Sequence, residues 1–77
     1  MKDYDAVMIV EGVQEPESPV EYLEAIAHLI KTGMAWALQG FFGRSCAQYI
    51  EAGYISKDGE VLIDEETIWN LFGEEYE

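Results

Sequence analysis

The chain has 77 residues, a formal net charge of −12 and a single cysteine, Cys46. That length is one domain, residues 1–77, near the lower limit for folding without staples, and the lone cysteine excludes an internal disulfide or a zinc knuckle. With 49% hydrophobic and 13% aromatic residues, the chain is no acidic disordered tail but calls for a small dense core.

Residues 3–11, "DYDAVMIVE", fit a short helix with Asp3 as its cap and Ala6, Val7, Ile9 and Val10 on the buried side. Their β-branched content suits an edge strand as well. "GVQEPES" is a connector punctuated by Gly12 and Pro16. "SPVEYLEAIAHLIKTG" predicts the clearest helix. Ser18 caps it, Pro19 takes the first position and Glu21 completes a capping box. Val20, Leu23, Ile26, Ala27 and Ile30 fall on one stripe, and Gly33 is placed to stop the helix in a left-handed conformation.

"MAWALQG" allows one or two helical turns. "FFGRSCAQYIEAG" predicts a second amphipathic helix, with Phe42, Cys46, Tyr49 and Ile50 on one face and Gly53 as its stop. "YISKDGEVLID" has the pattern of a β-hairpin: Tyr54, Ile55, Val61 and Ile63 around Asp58-Gly59. Asp64 caps a last short helix, "EETIWNLFG", that buries Ile68, Leu71 and Phe72 and ends at Gly73. Residues 74–77 are expected to fray. The predicted class is α+β: a small, mostly helical domain with one β-hairpin, loosely like a winged helix, and a short C-terminal helix.

Charge is segregated along the chain. Residues 1–24 carry a net −6, residues 25–50 a net +2 with no acid at all, and residues 51–77 a net −8. So negative a chain repels nucleic acid and anionic membrane, and it suits either a basic protein partner or solubility alone. "MKDYDAVMIV" has carboxylates where a secretory signal needs an apolar run, and "MAWAL" is too short to cross a bilayer. A free thiol without an export signal points to the cytoplasm.

The stretch "LQGFFGRSC" is the most distinctive. Gly40, Gly43, Arg44 and Ser45 could form a phosphate cradle at a helix N-terminus, but no Gly-Lys-Ser/Thr follows and two phenylalanines stand between the glycines. The packing alternative is a helix junction in which glycines let two backbones approach while Trp36 and Phe42 supply buried area. It leaves Arg44 over, a cation near the positive end of its helix, for which an internal salt bridge or a partner's carboxylate is expected. Catalytic candidates are weak: His28 lies on a polar helix flank, Cys46 on an apolar stripe where thiols are inert, and Asp64, Glu65 and Glu66 open a helix as ordinary dipole and capping groups. No catalytic residue, cofactor or metal site is expected.

Leu29, Ile30, Thr32, Gly33, Trp36, Leu38, Gln39, Gly40, Phe42, Gly43, Arg44, Ile50 and Gly53 together resemble the core of a family of small proteins encoded by tailed bacteriophages and uncultured viral sequences. That core reads approximately Leu-Ile-Asp-Thr-Gly, then Trp, Leu-Gln-Gly, an aromatic, Gly-Arg, and Leu-Ile before a closing Gly. The start "YDAVM" is also similar. Lys31 replaces the usual acid, Tyr49 stands where Leu is common, and the hairpin and last helix look like additions. The resemblance implies a phage origin and transfers no functional residue.

The expected function is non-enzymatic: a phage accessory protein that binds and inhibits a host protein of transcription or antiviral defence. The acidic flanks would attract a basic surface, and Trp36, Phe41 and Arg44 would carry the binding energy, with Phe41 the exposed aromatic because it lies off the Phe42–Cys46–Ile50 stripe. Against this stand three alternatives: an acidic DNA mimic, a winged-helix-like DNA-binding regulator, and a structural or virion protein. The regulator is disfavoured by a reading helix with one Arg and no Lys. A homodimer is compatible with each.

Overall fold

Fourteen residues, Pro19–Thr32, form the helix (α2) on which the rest of the protein packs. In this computed structural model, which describes residues 1–38 and 40–73, α2 meets α1 (Asp3–Glu11), α3 (Met34–Ala37), α4 (Gly40–Glu51) and α5 (Glu65–Phe72). Its central place follows from its sequence. Leu23, Ala25, Ile26, Ala27, Leu29 and Ile30 are all buried, an arc wider than the single stripe of a peripheral helix.

The ends of α2 are set by local chemistry. Ser18 Oγ accepts the Glu21 N–H at 3.3 Å, and Pro19 occupies the first turn, where its missing N–H costs nothing. Glu21 reaches one residue further back than the usual capping box, to the Glu17 N–H at 2.8 Å. Gly33, at φ +82°, ends the helix in the left-handed region.

Residues 3–11 are helical as expected, and α1 buries Ala6, Ile9 and Val10. Asp3 does not cap it; Lys2 holds the cap position without a side-chain bond, and Asp3 turns across to α2. On α4, Phe42 and Cys46 are buried, with Tyr49 and Ile50 packed at the edge of the core.

The α+β class expected from the sequence does not form: the fold is all-helical, and among the described residues there is no strand. The expected hairpin is reduced to one antiparallel bridge, Ile55 to Val61, flanked by Ser56 N–H to Glu60 O and Leu62 N–H to Tyr54 O, both 2.8 Å. The ladder cannot lengthen because its backbone is already engaged. Tyr54 and Ile55 donate to the Tyr49 carbonyl at the end of α4, and beyond Val61 the chain turns at once into the cap of α5. Without a two-stranded wing the winged-helix likeness is lost, and with it the structural basis for a winged-helix regulator.

The turn itself is well built. Gly59 N–H donates to Ser56 O at 3.0 Å, while Ser56 Oγ accepts from the Asp58 and Glu60 N–H groups. Gly59 (φ +86°) then presses this turn onto α2.

Helix α5 begins where Asp64 accepts the Thr67 N–H at 2.8 Å. It meets the rest along a narrow stripe, Ile68 and Phe72, so Trp69 and Leu71 emerge on either side. Leu71, expected in the core, is 51% exposed. Gln39 and the 74–77 tail, expected to fray, lie outside the described residues.

Hydrogen bonds from Thr67, its side chain first and its backbone N–H second, hold the Asp64 carboxyl below its ordinary range. A carboxylate whose folded pKa is depressed stabilises the fold above its unfolded pKa and loses that contribution as pH falls through the lowered folded value. Thermal melts of wild type and Asp64→Asn should therefore differ at neutral pH and converge in acid; a constant gap would show that the charge of the cap is irrelevant.

Candidate functional site

The acid-free middle of the chain, residues 25–50, folds into the second half of α2, all of α3 and α4 up to its last residue, so Glu51 is the one carboxylate that α3 and α4 carry. The three side chains expected to bind a partner are carried by these two helices. Helix α3 buries Ala35 completely and turns Trp36 outward, leaving it 54% exposed. The indole rests against α4 at Gly43, where a Cβ would stand 3.4 Å from the Ala35 carbonyl oxygen and 3.8 Å from the Trp36 ring. Both are ordinary van der Waals distances, so α3 lies directly against α4 here but an alanine at 43 would also fit.

Phe41 is 47% exposed and held edge-on against buried Phe42, ring centres 5.3 Å apart at 80°. Such a contact restricts the ring without hiding it. Successive helical residues turn by about 100°, which places Arg44 between the side of α4 that faces Trp36 and the side that carries Phe41. Around the exposed side of α4 the order is therefore Trp36 against Gly43, then Arg44, then Phe41, a strip that runs across the helix. Trp36, by contrast, is not the core residue that the packing alternative would make it.

The internal salt bridge expected for Arg44 is absent among the described residues, where the ion pair is His28 with Asp3. The guanidinium folds back over the first turn of α4, with Nη1 3.0 Å from the position of a Gly40 Cβ. A side chain at position 40 would push the guanidinium aside by a few tenths of an ångström. The i, i+4 spacing of Gly40 and Arg44 is the sequence signal for this arrangement.

The remaining candidates have structural roles. His28 is not a bare surface residue: its Nε2 lies 2.6 Å from Asp3 Oδ1 and ties the start of α1 to the middle of α2. The Cys46 thiol is fully enclosed, and burial pushes its pKa up to about 11, so at neutral pH it carries no thiolate for nucleophilic chemistry. Asp64 caps α5 with Glu65 and Glu66 in its first turn. Among the described residues no cluster of three His, Cys, Asp or Glu side chains could hold a metal ion, and no helix is long and apolar enough to cross a membrane.

Two further features were hidden in the sequence. A cleft of about 320 Å³ between α1 and α2 is lined by Asp5, Glu21 and Glu24 beside Ile9. At the far end of α4, Tyr49 lies 6.1 Å from both Tyr54 and Phe72 and 6.2 Å from Tyr22. This partly buried ring cluster joins α2, α4, α5 and the turn, and no local pattern announces contacts between residues so far apart.

A family model described as a domain of unknown function, DUF7417, matches residues 8–73. No curated protein matches the chain, and no solved structure does.

Proposed function

We infer the function of a chain that belongs to the DUF7417 family, a family of unknown function, from the chemistry of its surface. It is a non-enzymatic protein-binding module that engages its partner through the α3–α4 face. The observation that carries this reading is the strip itself. In a chain of 16 acids and four basic side chains, an arginine without a carboxylate among the described residues lies between two half-exposed aromatic rings. Trp and Arg are the residue types that dominate interface energy, and a ring already held in place loses little freedom on binding.

The partner offers pockets for Trp36 and Phe41, a carboxylate for Arg44, and a basic surround for the acids of α1, α2 and α5. Opposed potentials of this kind speed encounter and fix orientation. The resemblance of residues 29–53 to small phage proteins supports a narrower version: a phage accessory protein that acts in the host cytoplasm by binding and inhibiting a host protein.

The test is capture from a bacterial lysate on the tagged chain, identified by mass spectrometry, beside two folded variants. Arg44→Glu should weaken capture by roughly a hundredfold, the effect of a loss of about 2–3 kcal/mol at an interface hot spot. Joint replacement of Asp5, Glu21 and Glu24 by their amides should leave most of it. The opposite pattern would make the chain a DNA mimic, and a wild type that captures nothing specific would end the binding reading.

A further inference from the structure

The outer side of α4 carries Phe41, Arg44, Gln48 and Glu51, all exposed, at spacings of three, four and three residues. That is the repeat of a helix–helix seam. The opposite side of α4 is committed to the core through Phe42 and Cys46.

Arg44 and Glu51 carry opposite charges on this one face, yet about 10 Å of helical rise separates them within a chain. Neither has an ion-pair partner among the described residues. The guanidinium does not reach forward towards Glu51; it folds back to the level of Gly40. Two antiparallel copies of α4, set with Arg44 opposite Gln48 of the other copy, resolve this mismatch. The level of Gly40 in one copy is then the level of Glu51 and Ala52 in the other. A missing side chain and a methyl leave the space that the ion pair needs.

We propose that this face is a two-fold homodimer interface, α4 against antiparallel α4, held by reciprocal Arg44–Glu51 pairs and flanked by Phe41 and Trp36. Self-complementarity is what a two-fold axis demands, since each contact must recur with the roles exchanged. Charge also selects this face. Two copies of a chain at −12 repel, and α4, acid-free up to Ile50, sets only Glu51 at such an interface, where Arg44 of the other copy neutralises it. The same repulsion keeps the dimer weak and exchanging. The inference uses the face of the reading above but not its partner, so the dimer must open before that partner can bind.

Sedimentation velocity of the full chain, from micromolar to millimolar concentration, tests it. Wild type should move from monomer to dimer. Arg44→Glu and Glu51→Arg should each weaken association by roughly tenfold or more, and the double variant should recover it, as expected for a direct charge pair. Circular dichroism checks that each variant keeps its helices. A wild type that stays monomeric throughout overturns the proposal, as does a dimer indifferent to the exchanges, which would lie on another face. A monomeric wild type leaves partner capture untouched, whereas failed capture with an intact dimer refutes only the partner reading.

Discussion

Gly59→Ala is expected to destabilise the fold by about 2–5 kcal/mol, which combines about 1–2 for a side chain held in the left-handed region with about 1–3 for overpacking. At φ +86°, an added Cβ would stand 2.6 Å from the Ala27 carbonyl oxygen and 2.7 Å from both the Lys31 N and Cβ. Most of those atoms are helix backbone, so α2 would have to move rather than a flexible side chain. Gly53 supplies the control. It has φ +82° but nothing within 4 Å of its added Cβ, so Gly53→Ala should cost only the conformational part. Chemical denaturation of the two variants separates the effects. Equal losses would show that the turn does not press on α2.

Ile26→Ala should cost about 3 kcal/mol, within the range for removing most of a buried aliphatic side chain. Ile26 is fully buried in the middle of α2, which packs on α1, α3, α4 and α5, so neighbours from several elements would have to shift together to fill the cavity. A chain of this size has roughly 4–12 kcal/mol of total stability at about 0.05–0.15 kcal/mol per residue. The variant should therefore lose a quarter or more of that stability, about 3 of at most about 12 kcal/mol, with its urea midpoint lowered by about 1–3 M for slopes of about 1–3 kcal/mol per M. A loss below about 1 kcal/mol would contradict the central place of α2.

Helix α2 was legible from end to end because its signals are local: Ser18, Pro19 and Gly33 sit within one turn of the boundaries they set. The hairpin was misread for the opposite reason. Tyr54, Ile55, Val61 and Ile63 satisfy the two-residue period, but strand length depends on which backbone groups are free. Tyr54 and Ile55 had already given their N–H groups to Tyr49. Leu71 failed similarly, since periodicity names a helical stripe but not how wide a contact the neighbouring helix offers. Of the site, exposure of Phe41 followed from its place off the Phe42–Cys46–Ile50 stripe. The surroundings of Arg44 did not. A salt bridge is the natural expectation among so many acids, yet the acid on α4 itself, Glu51, stands about 10 Å of helical rise from Arg44. The His28–Asp3 pair and the ring cluster join residues too far apart in sequence for spacing to reveal.

The claim that the α3–α4 face is a binding surface is tested most directly by photo-crosslinking in living bacteria. A photoreactive phenylalanine analogue at position 41 would be compared with the same group at Tyr4, which is 68% exposed and lies on α1. Position 41 should give a discrete adduct to a second protein, distinct in mass from the self-adduct of a dimer and lost with Arg44→Glu, while position 4 gives none. Adducts from position 4 with none from position 41 would contradict the account.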